Sequence, residues 1–222
     1  IRDCLTARYD RESFVLADKL SYWTFETDKD VLPLFERQLE LCGVEYFDFY
    51  LFHANSAERH KKFTETRGYE IVKELKAQGK IRHIGMSFHD KAEVLDQILT
   101  RHPEVEVVQI QFNYVDFEDP KVESRKCYEI CRKHGKPVII MEPLRGGRLV
   151  NQLPDKAGKL FADHPAGYTP AQWAFRWLWD QKEVTVVLSG MNTEEMVADN
   201  LQTASSVQIG ELTDSDQAML QQ

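Results

Sequence analysis

GKIRHIGMSFH, residues 79–89, is the stretch of sequence that decides the fold. A short charged turn leads into an apolar run that ends on Gly85, Met86 and Ser87, and a helical pattern follows. This layout is typical of one βα unit in a parallel sheet. Because the chemistry of parallel barrels lies at the carboxyl ends of the strands, Ser87 is the first candidate ligand-binding residue.

The same layout recurs along the chain. Apolar runs of strand length begin near residues 14, 47, 81, 106, 137 and 184, mostly about 25–35 residues apart, which is the length of a βα unit. Runs such as VVQI and VIIM are continuously apolar, as expected for strands that are covered on both faces. The pattern predicts an α/β protein of the (β/α)8 TIM-barrel class.

Six such units are visible where a closed barrel needs eight. An open six-stranded sheet would expose its edges, so we expect the first two βα units to be missing from this chain. We accordingly predict that residues 1–222 form a single barrel domain that is incomplete at its amino end.

The net charge, the apolar runs and the cysteine spacing argue against several classes of function. The net charge of −8 and the absence of a dense Lys/Arg block argue against nucleic acid or an anionic membrane as a partner. No apolar run approaches the roughly 20 residues that span a bilayer, and the first residues lack a signal-peptide core. The four cysteines include no CxxC pair, so neither a zinc site nor a disulfide framework is expected. We expect a soluble, cytoplasmic protein; the sequence does not indicate its oligomeric state.

Helix starts are predicted where an acceptor side chain precedes a helical pattern. Asp90, Asp119, Thr169 and Asn192 are the predicted N-caps, and Thr169 forms a capping box with Gln172. The segment from about residue 146 to 168 separates Thr169 from its strand. It is either a lid over a substrate or a plain surface excursion.

Two residues with catalytic chemistry stand at the ends of neighbouring predicted strands. Lys19 ends FVLADK, and His53 ends DFYLFH. An ammonium stabilises a nearby anion, and an imidazole donor can orient a carbonyl group. Taken alone, a lysine at a strand end is usually a surface group, and a single histidine is usually a structural residue.

The chain resembles the aldo-keto reductases over nearly its whole length. FERQLELCGVEYFDFYLFHA is similar to the family's segment that ends in the active-site histidine, and GKIRHIGMSFH to its GKIRxIGxS strand. QIQFNY, EPLRGGRL, TPAQWAFRWL and VLSGMNTEEMVADNL match later family motifs in the same order. SRKCYEICRKHGKPV and MEPLRGGRL look most like a bacterial and archaeal subgroup whose fuller members carry a carboxyl-terminal ferredoxin-like [4Fe-4S] segment, which these residues do not contain.

The resemblance implies metal-free hydride transfer between a nicotinamide cofactor, NAD(P)H, and a carbonyl or alcohol substrate. It places Lys19 and His53 in a tetrad with an Asp and a Tyr, in which Tyr protonates the alkoxide and Lys lowers the pKa of Tyr. The matching Asp and Tyr positions lie upstream of Ile1. Tyr22 is a weak substitute acid, because it lies beyond the strand end.

The resemblance also implies a set of cofactor-binding residues. Ser87 and Gln109 match positions that hold the nicotinamide carboxamide, although Phe88 replaces the usual Asn. The further matching positions line the ring, the pyrophosphate and the adenosine end; they are Met141, Leu144, Gly146, Arg148, Ser189, Gly190, Met191, Asn192, Met196 and Asn200.

The sequence leaves open which nicotinamide cofactor is bound and whether the protein is a reductase. No Lys or Arg stands among Asn192, Met196 and Asn200, where relatives clamp the NADP 2′-phosphate, so we expect weak NADP selectivity and use of NAD. The same fold also serves cofactor-binding sensor or interaction proteins with little turnover, which is the alternative function. A metal-dependent hydrolase would use His53, His60, His83 and His89, but their spacing does not favour it.

Overall fold

The structure is a computed structural model that describes residues 1–221. The chain divides into two compact units: unit 1 runs from Ile1 to Gln109 and unit 2 begins at Ile110. Six strands alternate with helices, and they begin within three residues of the predicted positions. The α/β class is therefore confirmed, whereas the single barrel domain stays a prediction.

Unit 1 opens with two short helical turns and continues as alternating strands and helices. The turns are Arg2–Thr6 and Arg11–Ser13. The elements that follow are β1 (Ala17–Ser21), α1 (Asp28–Cys42), β2 (Phe47–Asn55), α2 (Ala57–Glu65), α3 (Gly68–Ala77), β3 (Ile81–Phe88) and α4 (Ala92–Arg101). Strand β4 (Val107–Gln111) begins in unit 1 and ends in unit 2.

The strands of unit 1 pair in parallel and in chain order. In the β1–β2 pair, Ser21 lies opposite His53. The β2–β3 register is regular from Phe47 to Phe52 and shifts before Asn55. This irregularity lies at the carboxyl end of β2, directly around His53, where a change of register redirects side chains.

The first strand was predicted to begin near residue 14, but β1 begins at Ala17. Phe14 to Leu16 precede the strand, and the Leu16 N–H donates to the buried Asp48 carboxylate at 2.8 Å. Lys19 is consequently in the middle of β1 rather than at its end. The prediction was wrong because the apolar run precedes the strand, with Val15 exposed and only Leu16 buried, whereas the paired backbone is ADKLS.

Unit 2 contains the remaining elements. They are α5 (Ser124–Lys133), β5 (Val138–Met141), α6 (Arg148–Asn151), α7 (Asp155–Asp163), α8 (Pro170–Trp179), β6 (Val184–Val187), α9 (Glu194–Ser206) and α10 (Asp214–Leu220). Strands β5 and β6 are parallel neighbours. The predicted lid or excursion between residues 146 and 168 folds into the two short helices α6 and α7.

Each unit has its own aromatic core. In unit 1, Phe35 packs edge-on against Phe47 and Tyr50, with ring centroids 5.7 and 5.0 Å away. In unit 2, Phe112 lies 5.2 Å from the ring of Trp177. These large buried rings fix the strands that carry the site residues.

One of the four predicted helix caps is confirmed. Thr169 accepts the Gln172 N–H and forms the full capping box at α8. Asp90 instead accepts the Ala57 N–H, and Asp119 accepts the Lys121 N–H in a turn. Helix α9 is capped by Thr193 rather than Asn192. An Asp or Asn side chain satisfies turn amides as readily as helix amides, so the type of residue alone does not fix the boundary.

Candidate active site

Strands β1 and β2 bring His53 against Ser21. The Ser21 Oγ lies 2.6 Å from His53 Nδ1, and the two residues face each other in the strand register. Lys19 precedes Ser21 by two residues and therefore lies on the same face of β1. Lys19, Ser21 and His53, together with Trp23, are called the His53 cluster below.

Aromatic rings form the outer side of this cluster. The half-exposed Trp23 ring lies 4.6 Å from the imidazole of His53, and the Tyr22 ring packs edge-on against Trp23 at 4.9 Å. The Arg59 guanidinium lies 4.6 Å above the Tyr22 ring. The imidazole is thereby partly shielded from water while one side of the cluster stays open.

The pKa of His53 is lowered below its usual value of 6.5. Burial is the largest cause, and the charges of Lys19, His89 and Arg59 add to it. Both effects disfavour the charged imidazolium. His53 is therefore a neutral ring at neutral pH, suited to donating a hydrogen bond from one nitrogen while the other faces Ser21.

The residue after His53 has an unusual backbone. Ala54 has φ of 54°, a left-handed conformation that is rare for a residue with a Cβ. Its N–H donates to the Ser87 hydroxyl at 2.7 Å, and its carbonyl accepts from Arg59 Nη1 at 2.7 Å. Contacts on both sides of Ala54 thus hold a strained turn that orients His53.

The predicted carboxamide-binding pair lies in β3 and β4. Ser87 and Gln109 are 1% and 7% exposed, so both side chains are held within the packed strands. The Ser87 oxygen already accepts the Ala54 N–H, which leaves its own O–H to donate elsewhere.

A buried polar chain supports the end of β2. Asn55 Nδ2 donates to the Tyr69 hydroxyl at 3.0 Å, and this hydroxyl lies 3.0 Å from His60 Nδ1. The Tyr69 ring stacks on His102 with centroids 3.6 Å apart. Burial, with the charges of His102 and Arg101, lowers the pKa of His60 to about 4, so this histidine is also neutral.

Unit 2 contains a cavity of about 850 Å³ that collects most of the remaining predicted residues. We call it the glycine-loop cavity, because Gly146 and Gly147 of the loop after β5 line it. Asn200 Nδ2 donates to the Ser189 hydroxyl at 3.1 Å across it. Nine predicted residues line it: Met141, Leu144, Gly146, Ser189, Gly190, Met191, Asn192, Met196 and Asn200.

Arg148 does not line the glycine-loop cavity. It lines a separate cavity of unit 2 together with Arg145. The loop is left-handed at Arg145, Gly146 and Gly147, with φ values of 49°, 64° and 88°, and of these only the non-glycine Arg145 is strained. The loop therefore presents glycines to one cavity and arginines to the other.

The charges around the glycine-loop cavity are acidic. Glu142 and Asp199 line it, and among residues 1–221 no Lys or Arg does. Glu194 and Glu195 occupy the first turn of α9, and Thr193 already accepts the Met196 N–H at 3.2 Å. A 2′-phosphate would find no cation here, whereas a ribose hydroxyl would meet amide and hydroxyl side chains.

Sequence reasoning missed Ser21, Arg59 and the strained Ala54. Ser21 could have been found from the two-residue period of a strand, because it follows Lys19 on the same face. Arg59 and Ala54 gave no such signal, since their roles depend on the turn that follows β2.

A hydrolytic metal site is not supported. Within the part of the chain that the structure describes, no three His, Cys, Asp or Glu side chains converge to hold a metal ion. Of the four cysteines, Cys4 is exposed, and Cys127 and Cys131 are buried. In residues 1–221 every helix is too short or too polar to cross a bilayer.

Neighbouring parallel strands thus bring the neutral His53 against Ser21, with Lys19 on the same face of β1. A family model described as the aldo/keto reductase family matches residues 1–222. The chain therefore belongs to the aldo/keto reductase family. Its predicted subgroup stays a prediction.

The matches to curated relatives cover only part of each relative. The 9,11-endoperoxide prostaglandin H2 reductase of Trypanosoma cruzi is 28% identical over 147 residues, covering 66% of this chain and 47% of that protein. The NADH-specific methylglyoxal reductase of Escherichia coli is 23% identical over 196 residues, covering 73% of this chain and 56% of that protein. The chain thus spans about half the length of these relatives.

Solved structures confirm the barrel-type fold. A thermostable aldo-keto reductase crystallised with the inhibitor epalrestat has a TM-score of 0.76 at 24% identity, covering 97% of this chain and 73% of that one. An aldo-keto reductase from Klebsiella pneumoniae in complex with NADPH has a TM-score of 0.74 at 24% identity, covering 95% of this chain and 69% of that one. At this identity the likeness shows the fold, that of (β/α)8-barrel reductases.

Proposed function

We propose that the protein is an NAD(P)-dependent oxidoreductase that transfers a hydride between a nicotinamide cofactor and a small carbonyl or alcohol substrate. The observation that carries this proposal is the His53 cluster, in which Ser21 Oγ lies 2.6 Å from His53 Nδ1 on the strand face that also carries Lys19. Family membership and relatives described as reductases of small carbonyl compounds support it.

His53 acts as a hydrogen-bond donor to the substrate oxygen. A neutral imidazole that accepts the Ser21 proton at Nδ1 carries its own proton on Nε2. That N–H stabilises negative charge as it develops on the oxygen of a carbonyl group. Trp23 covers one side of the ring and limits the access of water.

Lys19 supplies the positive charge of the site. Among residues 1–221 it forms no salt bridge, and its charge reaches His53, where it contributes to the lowered pKa. The same charge lowers the pKa of a neighbouring tyrosine by stabilising its phenolate. The resemblance assigns this role to a Tyr that is paired with an Asp.

Each unit, taken by itself, contains residues that fit one part of a dinucleotide cofactor. The glycine-loop cavity of about 850 Å³ combines apolar walls with the hydrogen-bonding side chains of Ser189, Asn192 and Asn200, which suits a nucleoside. The Ser87 hydroxyl has a free proton for a carboxamide oxygen, and Gln109 lies on the next strand. When bound, the nicotinamide supplies or accepts the hydride. Met141 contributes an apolar surface without the π-stacking of an aromatic ring.

The acidic lining of the glycine-loop cavity favours NAD over NADP. Glu142 and Asp199 would repel a 2′-phosphate, and the 2′-hydroxyl of NAD avoids this cost. Fluorescence titration of the whole protein should give an NADH dissociation constant equal to or below that of NADPH. A strong preference for NADPH would contradict this assignment.

The activity is tested on the whole protein with NADH and NADPH and a panel of aldehydes and ketones, followed by absorbance at 340 nm. We expect turnover that Lys19→Met and His53→Ala each reduce by about 100-fold or more, while cofactor binding is retained. Lys29→Met, at an exposed position of α1, is the matched control. Turnover that survives both changes would refute the assigned roles, and tight cofactor binding with no turnover of any substrate would favour a sensor function instead.

A further inference from the structure

The separate cavity of unit 2 that Arg148 lines is not used by the proposed reaction. Its volume of about 870 Å³ is within the range of small-molecule sites. We call it the arginine cavity. Its walls are formed by apolar side chains from α6, α7 and α10 and from the segment after β4, among them Val115, Phe117, Leu149, Leu153, Leu160, Phe161, Met219 and Leu220.

The apolar and charged parts of the arginine cavity are separated. Leu149, Phe161 and Met219 are buried, whereas Arg148 is exposed and the Arg145 side chain is 39% exposed. The cavity thus has a closed apolar wall and a basic, water-facing rim. A ligand with an apolar body and a charged end matches this arrangement.

The ion pairs around the arginine cavity indicate the sign of the charge that a ligand would carry at this end. Glu118, the acidic residue of the lining, pairs with Arg125 at 2.7 Å, and Arg125 also pairs with Glu129 at 2.8 Å. Arg145 lies 3.5 Å from Asp116, a buried carboxylate that also accepts from Gln111 and Asn113.

Arg148 and Tyr114 offer donors without partners. Within residues 1–221 Arg148 forms no ion pair, so its guanidinium is available to an anion. Tyr114 also lines the cavity, and within the described residues its buried hydroxyl has no hydrogen-bond partner. A buried donor without a partner costs free energy.

The glycine loop holds the basic rim in place. Arg145 has a left-handed φ of 49° and is followed by two glycines with positive φ. Strained backbone of this kind persists where its surroundings require a fixed geometry. Here it directs Arg145 and Arg148 to the arginine cavity.

We propose that the arginine cavity is a binding site for an amphipathic carboxylate, such as a medium-chain fatty acid, with the carboxylate on Arg148 and the chain against Leu149, Phe161 and Met219. Guanidinium groups bind carboxylates through paired hydrogen bonds. This site does not depend on the proposed oxidoreductase activity.

The test is calorimetric titration of the whole protein with decanoate below its micelle concentration. We expect saturable binding, and no binding of decyltrimethylammonium, which has the same chain with the opposite charge. Arg148→Met should weaken decanoate binding by about tenfold or more, because the carboxylate loses a charged hydrogen bond. Ala157→Trp, which places a large side chain in the cavity, should abolish it.

Lys159→Met is the control for Arg148→Met, because Lys159 is an exposed cation of the neighbouring helix α7 that does not line the cavity. It should change the decanoate affinity by less than about twofold. Thermal melting shows whether each variant is folded. If Ala157→Trp does not fold, the decanoate affinity of Arg148→Met alone decides the test. Absence of saturable binding, or equal affinity in Arg148→Met, would overturn the proposal. A raised NADH dissociation constant in Arg148→Met with unchanged decanoate binding would also overturn it, and would assign Arg148 to the cofactor.

Discussion

The imidazole of His53 contacts the Ser21 hydroxyl and the Trp23 indole ring, and its surroundings keep it neutral. Burial is the main cause of its lowered pKa, followed by the charges of Lys19, His89 and Arg59. The proposed donor role needs the neutral ring, so the cations around it serve the mechanism by keeping it uncharged.

Lys19→Met should therefore raise the pKa of His53, because one of the charges that oppose protonation is lost. The pKa should stay below 6.5, since burial, the larger cause, remains. NMR titration of the histidine resonances measures it, with His53→Ala providing the assignment. A pKa that falls, or that Lys29→Met raises equally, would contradict this electrostatic account.

Ser21→Ala removes the partner of His53 Nδ1. We expect kcat/KM for carbonyl reduction to fall by about tenfold, because the ring loses the hydrogen bond that fixes its orientation and tautomer. Ser21→Thr, which keeps the hydroxyl, should retain most of the activity. The steady-state assay at 340 nm measures both variants, with the exposed Ser13→Ala as control. Equal activity of Ser21→Ala and wild type would show that this hydrogen bond has no role.

At the scale of the elements, the packing of β3 against its neighbours depends on Gly85. A Cβ at this position would lie 2.7 Å from Val107 Cγ1 and 3.1 Å from both Leu51 Cγ and the Val107 carbonyl oxygen. Ser87, two residues further along β3, holds the strained Ala54 turn. Gly85 thus allows the close approach that places Ser87.

Gly85→Ala should lower the free energy of unfolding by about 1–3 kcal/mol, because a methyl group overpacks this contact. Gly158→Ala is the matched control: its Cβ would meet no atom within 4 Å, and in helix α7 alanine should stabilise by up to about 1 kcal/mol. Urea unfolding followed by circular dichroism measures both. Effects of the same sign at the two glycines would contradict the packing argument.

At the scale of the whole molecule, acid should destabilise the fold through the chain of Asn55, Tyr69, His60 and His102. The pKa of His60 is about 4 in the folded protein, against 6.5 for an ordinary histidine. Between these two values the unfolded chain binds a proton that the folded protein does not, so stability is lost as the pH falls from about 6.5 to about 4.

His60→Gln should reduce this loss, because glutamine does not titrate and can still pair with the Tyr69 hydroxyl. Urea midpoints at pH 7 and pH 5 measure the difference, and His83→Gln, on the half-exposed histidine of β3, is the control. The wild type should lose more stability between the two pH values than His60→Gln does. An equal loss in both would show that His60 is not responsible.

The sequence by itself determined the approximate strand positions and the family, and it supplied a predicted set of site residues. Buried parallel strands require continuous apolar runs, and motifs in a fixed order leave few alternatives, so Lys19, His53 and nine residues of the glycine-loop cavity could be named in advance. Local patterns failed where one side chain has several backbone partners within reach, as at Asp90, Asp119 and Asn192.

Only the tertiary structure decided which side chains meet. Ser21 reaches His53 because of the register of two strands, and Ala54 takes its strained turn because Ser87 and Arg59, from other elements, bind its two peptide groups. Arg148 lines the arginine cavity because the loop before it reverses its face through residues with positive φ. Such contacts depend on distances between segments that are far apart in sequence, and no local pattern of residues records them.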